Sequence, residues 1–158
     1  MHDLILRGGR VIDPAQHIDA TQDIAFSGGK IVAIAPRLED PAHEVRDVTG
    51  LIVAPGLIDL HTHVYWGGTS IGIDAMTVAE RGGTTTLVDA GSAGPGNFPG
   101  FRRHVIEQSP VRILAFLNIS FPGIFAYSST VMVGECVDMR LLDLKECVRV
   151  IEENRDLI

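Results

Sequence analysis

The sequence predicts an α/β chain: a small all-β segment, then the first three βα units of an incomplete TIM-type (β/α)8 barrel. Three observations predict it. The first 55 of the 158 residues alternate short apolar runs with glycine pairs. From residue 56 onward, apolar strands alternate with helical patterns. Those strands are apolar on both faces, as a parallel sheet covered by helices requires.

In the β segment, Leu4-Ile5-Leu6 and Val11-Ile12 flank Gly8-Gly9, and Ile24-Ala25-Phe26 and Lys30 to Ile34 flank Gly28-Gly29. Paired glycines supply the positive φ of two-residue hairpin turns, so both read as hairpins. A third short pair, Glu44 to Val48 and Leu51 to Ala54, surrounds Gly50, and Pro55-Gly56 closes the region. The domains are therefore read as 1–55 and 56–158.

Beyond that boundary Leu57 to His63 reads as a strand. Asp74 to Arg81 reads as a helix stopped by Gly82-Gly83. Thr84 to Ala90 is a second strand, Gly91 to Gly100 a loop, Phe101 to Gln108 a short helix and Val111 to Ser120 a third strand. Phe121 to Met139 reads as irregular. Asp143 caps a last helix with Glu146 three residues on. Its expected buried face is Leu144, Cys147, Val148 and Ile151. Leu157-Ile158 falls where a fourth strand should begin. A closed barrel needs about 250 residues, so the chain reads as the front part of a longer protein or a truncated copy of one.

Composition narrows the function. Thirteen Lys and Arg against 20 Asp and Glu give a net charge of −7. Such a chain lacks the cationic surface that nucleic acid or an anionic membrane needs. No apolar run approaches the roughly 18 residues of a membrane span. No basic stretch and apolar core follow Met1, so a cytoplasmic protein is expected. Cys136 and Cys147 have neither metal-ligand spacing nor disulfide density and read as reduced thiols.

The chemistry concentrates in Pro55-Gly56-Leu57-Ile58-Asp59-Leu60-His61-Thr62-His63. Side chains alternate along a strand, so His61 and His63 should share a face, with Asp59 at the same parity. Alone, a His-x-His pair more often marks ordinary surface or core histidines. Here it closes an apolar strand and opens a βα series, at the strand end where barrel active sites form. Neutral imidazoles suit zinc, which acidifies a water and polarises a carbonyl.

The segment PGLIDLHTHVYWGGTS, with Gly82 to Gly94 and Leu117-Asn118-Ile119-Ser120, resembles the amidohydrolase superfamily. It is most similar to the amidohydrolase/deacetylase branch, often labelled dihydroorotase-like. The resemblance covers essentially the whole chain. It implies a barrel metal hydrolase with a β domain built from both chain ends, one or two zinc ions (a binuclear site in the complete protein), and a small-molecule amide substrate, an N-acyl or N-acetyl amino acid. It makes His61 and His63 the strand-1 metal ligands. The family's bridging lysine, further histidines and general-base aspartate have no counterpart here. Lys30 and Lys145 are the two lysines; the first sits beside a hairpin glycine, the second on the capped helix. No catalytic residue is therefore placed within this chain, and the general base is expected beyond Ile158.

True dihydroorotases carry an arginine two residues after the second histidine. Tyr65 stands there, which argues against dihydroorotate. Tyr65 and Trp66 either wall a substrate pocket or pack within the first loop. Asp89, Ser92 and Asn118 end the second and third strands and either touch substrate or brace loops. The alternatives kept are a dihydroorotase- or hydantoinase-type cyclic amidase, and a non-catalytic truncated product or association module. Whether the complete protein is a homo-oligomer stays open.

Overall fold

The computed structural model describes residues 1–126 and 130–158. They divide into two compact units, Met1–Pro55 and Gly56–Ile158.

The first unit is a five-stranded sheet of β1 (His2–Asp13), β2 (Ile18–Ser27), β3 (Lys30–Ala35), β4 (Ala42–Asp47) and β5 (Ile52–Val53). The turn at Gly28-Gly29 is as expected: both residues have positive φ (59° and 71°), and Ser27 pairs with Lys30. The Gly8-Gly9 hairpin is not. Those residues lie inside β1, where a bulge between Leu6 and Gly9 interrupts an otherwise continuous antiparallel ladder with β2. Gly8 takes φ +74° there. The missing side chain of Gly9 lets the Val48 and Val53 methyls close in. The chain reverses instead at Pro14 to His17, where the Asp13 carboxylate accepts the Ala15 N–H at 2.9 Å. The expected third pair is also corrected. β4 and β5 do not pair with each other; both run parallel to β1, one on each side of the bulge.

Asp23 ties this unit together. It is 3% exposed, and it accepts the N–H groups of Gly8 (2.9 Å) and Leu38 (3.0 Å) and pairs with Arg7 at 3.4 Å. Burial pushes its pKa up, but the two backbone donors and Arg7 outweigh that and leave it lowered.

The second unit is mixed α/β. β6 (Leu57–Thr62), β7 (Thr84–Ala90) and β8 (Arg112–Phe116) form a parallel sheet in that order. α1 (Ala75–Gly82) links the first two strands. Asp74 caps it by accepting the Thr77 N–H at 2.9 Å, and Gly83 ends it with a left-handed φ of 61°. The second helix starts earlier than its sequence suggests. α2 (Phe98–Phe101) has Pro99 in its first turn and runs into a π-helical turn over Arg102–Ile106, closed by the Glu107 N–H on the Arg102 carbonyl. The apolar core lies on the helix side of the sheet, where Leu87, Ile113 and Ala115 pack with Val64, Phe98 and Phe101.

Within the stretch read as irregular, β9 (Ile124–Ala126) and β10 (Met132–Gly134) pair antiparallel; residues 127–129 of that stretch lie outside the described residues. α3 (Leu144–Glu153) has its expected Asp143 cap, but its buried face is Cys147 and Val150. Leu144 (68%), Val148 (48%) and Ile151 (38%) are exposed. The buried stripe is rotated because Val150 packs into the core cluster that holds Phe98 and Phe101; the Cys147 thiol faces the Asn118 carbonyl at 3.5 Å. The Leu157 carbonyl accepts the Ala115 N–H of β8 at 2.9 Å.

Replacing Asp23 with Ala should cost about 2–3 kcal/mol in urea denaturation, because buried N–H donors lose their acceptor. The wild-type contribution is complete above the unfolded-state pKa of 3.8. It should vanish as pH falls through the lowered native value, so the difference between wild type and variant narrows in acid.

Candidate metal centre

The site begins with a flaw in β6. Asp59 pairs with Leu87, yet Thr62, three residues on, pairs with Asp89, only two residues beyond Leu87. One residue of β6 is extra, a bulge. Alternation therefore restarts, and Asp59 and Thr62 fall on one face. This corrects the expectation that Asp59 shares the histidines' side. Asp59 serves the bulge itself, its Oδ1 accepting the His61 N–H at 3.1 Å.

Past the bulge, Thr62 and Val64 are buried while His61 is exposed and His63 partly so. The Thr62 hydroxyl donates to the Val88 carbonyl at 3.0 Å and pins the strand end between the two imidazoles. His61 and His63 thus project from one side of the sheet's carboxyl end. Their ring centroids are 5.4 Å apart, edge to face. His63 Nδ1 lies 3.0 Å from Ser92 Oγ. Neither His63 Nε2 nor the His61 ring has a hydrogen-bond partner among the described residues. Two imidazoles with free nitrogens on one face suit a divalent cation. Among the described residues, no group of three or more His, Cys, Asp and Glu gathers to complete such a site.

Asp89 lies under this pair and is wholly buried. Its Oδ2 accepts the N–H of Val64, the residue after His63, at 2.8 Å, and its Oδ1 accepts the N–H of Ser92 at 2.7 Å. Ser92 is also wholly buried. Asn118 bridges loops: its Nδ2 donates to the Gly91 carbonyl (3.1 Å), and its Oδ1 accepts the Ser120 N–H (2.9 Å). Tyr65 stacks on Phe101 with ring centroids 4.6 Å apart and packs on the core. Trp66 is 67% exposed. It lines a hollow of about 310 Å³ with Val64, Asp74, Met76, His104 and Gln108, apart from both histidines of the pair. Burial, with Asp143 adding to it, pushes the Cys147 thiol up, away from nucleophilic character.

The structure brings His61, His63, Ser92 and Asp89 together and leaves Asn118, Tyr65 and Trp66 in neighbouring loops. A bracing role for Asp89 is one of the two readings its sequence position offers, whereas that of Thr62 is not read from the sequence beforehand. The Asp89-x-x-Ser92 spacing at a strand end is the available signal, since an aspartate there readily accepts a backbone N–H a few residues on.

Relatives carry the same region. The chain is 42% identical to a deacetylase of Agrobacterium fabrum over 141 residues, 88% of this chain and 34% of that protein. It is 39% identical to a dihydroorotase of Geotalea daltonii over 163 aligned residues, 99% of this chain and 37% of that protein. A crystal structure of a dihydroorotase superposes on the whole chain with a TM-score of 0.85 at 36% identity, using 41% of its own length. The chain thus spans about a third of the length of the curated relatives it matches. No family model matches it.

Replacing Asp89 with Ala leaves two buried N–H groups without acceptors. The loss in unfolding free energy should be about 2–5 kcal/mol, measured by chemical denaturation. A loss below about 1 kcal/mol would remove the carboxyl group from its bracing role.

Proposed function

The chain belongs to the amidohydrolase superfamily as the N-terminal part of its longer members, and from that premise we propose that the complete protein is a metal-dependent hydrolase of C–N bonds other than peptide bonds that deacylates N-acyl amino acids. The observation that carries this reading is the convergence of the His61 and His63 rings at the carboxyl end of β6. In the same reading β6, β7 and β8 open a parallel barrel. The exposed Leu60 and Phe116, on the face away from the helices, support further strands there.

His61 and His63 would hold one or two zinc ions. When bound, the metal supplies Lewis acidity, acidifying water and polarising the amide carbonyl. The chain's own residues do the positioning. Thr62 and Asp89 fix the strand end, and the bulge after Asp59 puts that carboxylate on the face away from the two imidazoles. Asn118 ties the loops that follow β7 and β8. Trp66 lines a hollow apart from both histidines and takes no substrate role in this reading. Tyr65 stands where dihydroorotases carry a carboxylate-binding arginine and is instead committed to stacking on Phe101. That favours N-acyl amino acids over dihydroorotate.

In the complete protein, His61→Ala and His63→Ala should each lower bound zinc, measured by elemental analysis. Each should reduce kcat/KM on N-acetyl amino acids by more than about 100-fold, beyond what loss of an outer partner costs. Unchanged metal content in both variants would overturn the ligand assignment. The 158-residue chain alone carries two of the four ligands a stable zinc site wants. Assayed with zinc and N-acetyl amino acids it should show no turnover, and turnover within tenfold of a longer homologue would contradict that.

A further inference from the structure

We infer that Ser92 is a positioning residue that holds His63 in the Nδ1–H tautomer and so aims its Nε2 lone pair at the metal, an inference that rests on the metal reading above. Ser92 Oγ and His63 Nδ1 are 3.0 Å apart. The serine is wholly buried, and its hydroxyl has no other partner among the described residues. A neutral imidazole carries one proton, and whichever nitrogen keeps it cannot bind a metal. With Ser92 Oγ as the acceptor, the proton stays on Nδ1 and Nε2 is left bare for the metal.

The serine is itself fixed from below. Asp89 Oδ1 holds the Ser92 N–H at 2.7 Å, and its Oδ2 holds the N–H of Val64 beside His63 at 2.8 Å. One buried carboxyl group thus sets both ends of the Ser92–His63 contact. Ser92 sits on the loop after β7, and His63 immediately follows β6. The contact spans 29 residues of sequence and joins adjacent parallel strands. His61 has no equivalent anchor among the described residues, so its ring is the freer of the two. Outer partners of this kind raise ligand basicity and lock ring orientation. Their loss costs about 10–100-fold in metal affinity.

The test uses the complete protein with ¹⁵N-labelled histidine, in wild-type, Ser92→Ala and Thr77→Val forms. Long-range ¹H–¹⁵N spectra of the metal-free protein read the His63 tautomer, and chelator competition reads Zn²⁺ affinity. Wild type should show His63 as Nδ1–H. Ser92→Ala should move it toward Nε2–H and weaken zinc binding by about 10–100-fold. Thr77→Val removes a half-buried hydroxyl on α1, which donates to Asp74 Oδ2 at 3.1 Å away from both histidines. It should lower the melting temperature while leaving tautomer and zinc affinity unchanged. Ser92→Ala with an unaltered tautomer and zinc affinity within about twofold of wild type would overturn the inference. So would an equal zinc loss in Thr77→Val, which would mean general loosening. If wild type takes up no zinc, the ligand reading itself fails; the tautomer comparison then still decides the role of Ser92.

Discussion

A wholly buried carboxyl group, with no cation paired to it among the described residues, governs the second unit. Asp89 ends β7 in a core of Leu87, Ile113 and Phe98, where an unpaired acceptor is costly. Two backbone N–H groups satisfy it, from Val64 and Ser92. That arrangement fixes where β6 must end relative to β7, because Val64 cannot slide along the sheet without orphaning both partners. The position of the imidazoles follows from it.

The second constraint is the β6 bulge. Strict alternation from Asp59 would put that carboxylate beside His61 and His63. The extra residue shifts the phase, so the face that carries Asp59, Thr62 and Val64 turns toward the helices and the histidines turn away. The division of labour is physical. One side of the strand end packs against Phe98 and Phe101, and the other offers nitrogen lone pairs. A metal-dependent hydrolase needs both. In the function proposed above, rigid packing would hold the ligands while the open side would leave room for water and substrate.

Much of this is legible in the sequence. Thr84 to Ala90, β-branched and apolar, is a strand at its stated bounds. Asp74 and Gly83 delimit α1, and Asp143 caps α3, because caps are local chemistry. The shared face of His61 and His63 follows from period-two alternation over a span too short to meet the bulge. Longer-range facts are harder to read. Gly8-Gly9 has the composition of a turn, but the flanking runs continue as one strand because β4 and β5 approach from the side, which no local pattern encodes. The α3 stripe is misjudged for a similar reason. Leu144, Val148 and Ile151 are apolar at helical spacing, yet tertiary packing selects Cys147 and Val150. Ser92 and Asp89 stand out by residue type, but their bond to His63 and Val64 crosses 25 or more residues of sequence and becomes visible only in the fold.

The central claim is that the two imidazoles after β6 are ligands of one metal centre in the complete protein. The most direct measurement is anomalous diffraction from zinc-soaked crystals of that protein, recorded on both sides of the zinc absorption edge. The account predicts an anomalous peak about 2.0–2.1 Å from a ring nitrogen of both His61 and His63, with Ser92 still on the opposite nitrogen of His63. A peak elsewhere, or rings turned apart with no peak between them, would contradict it.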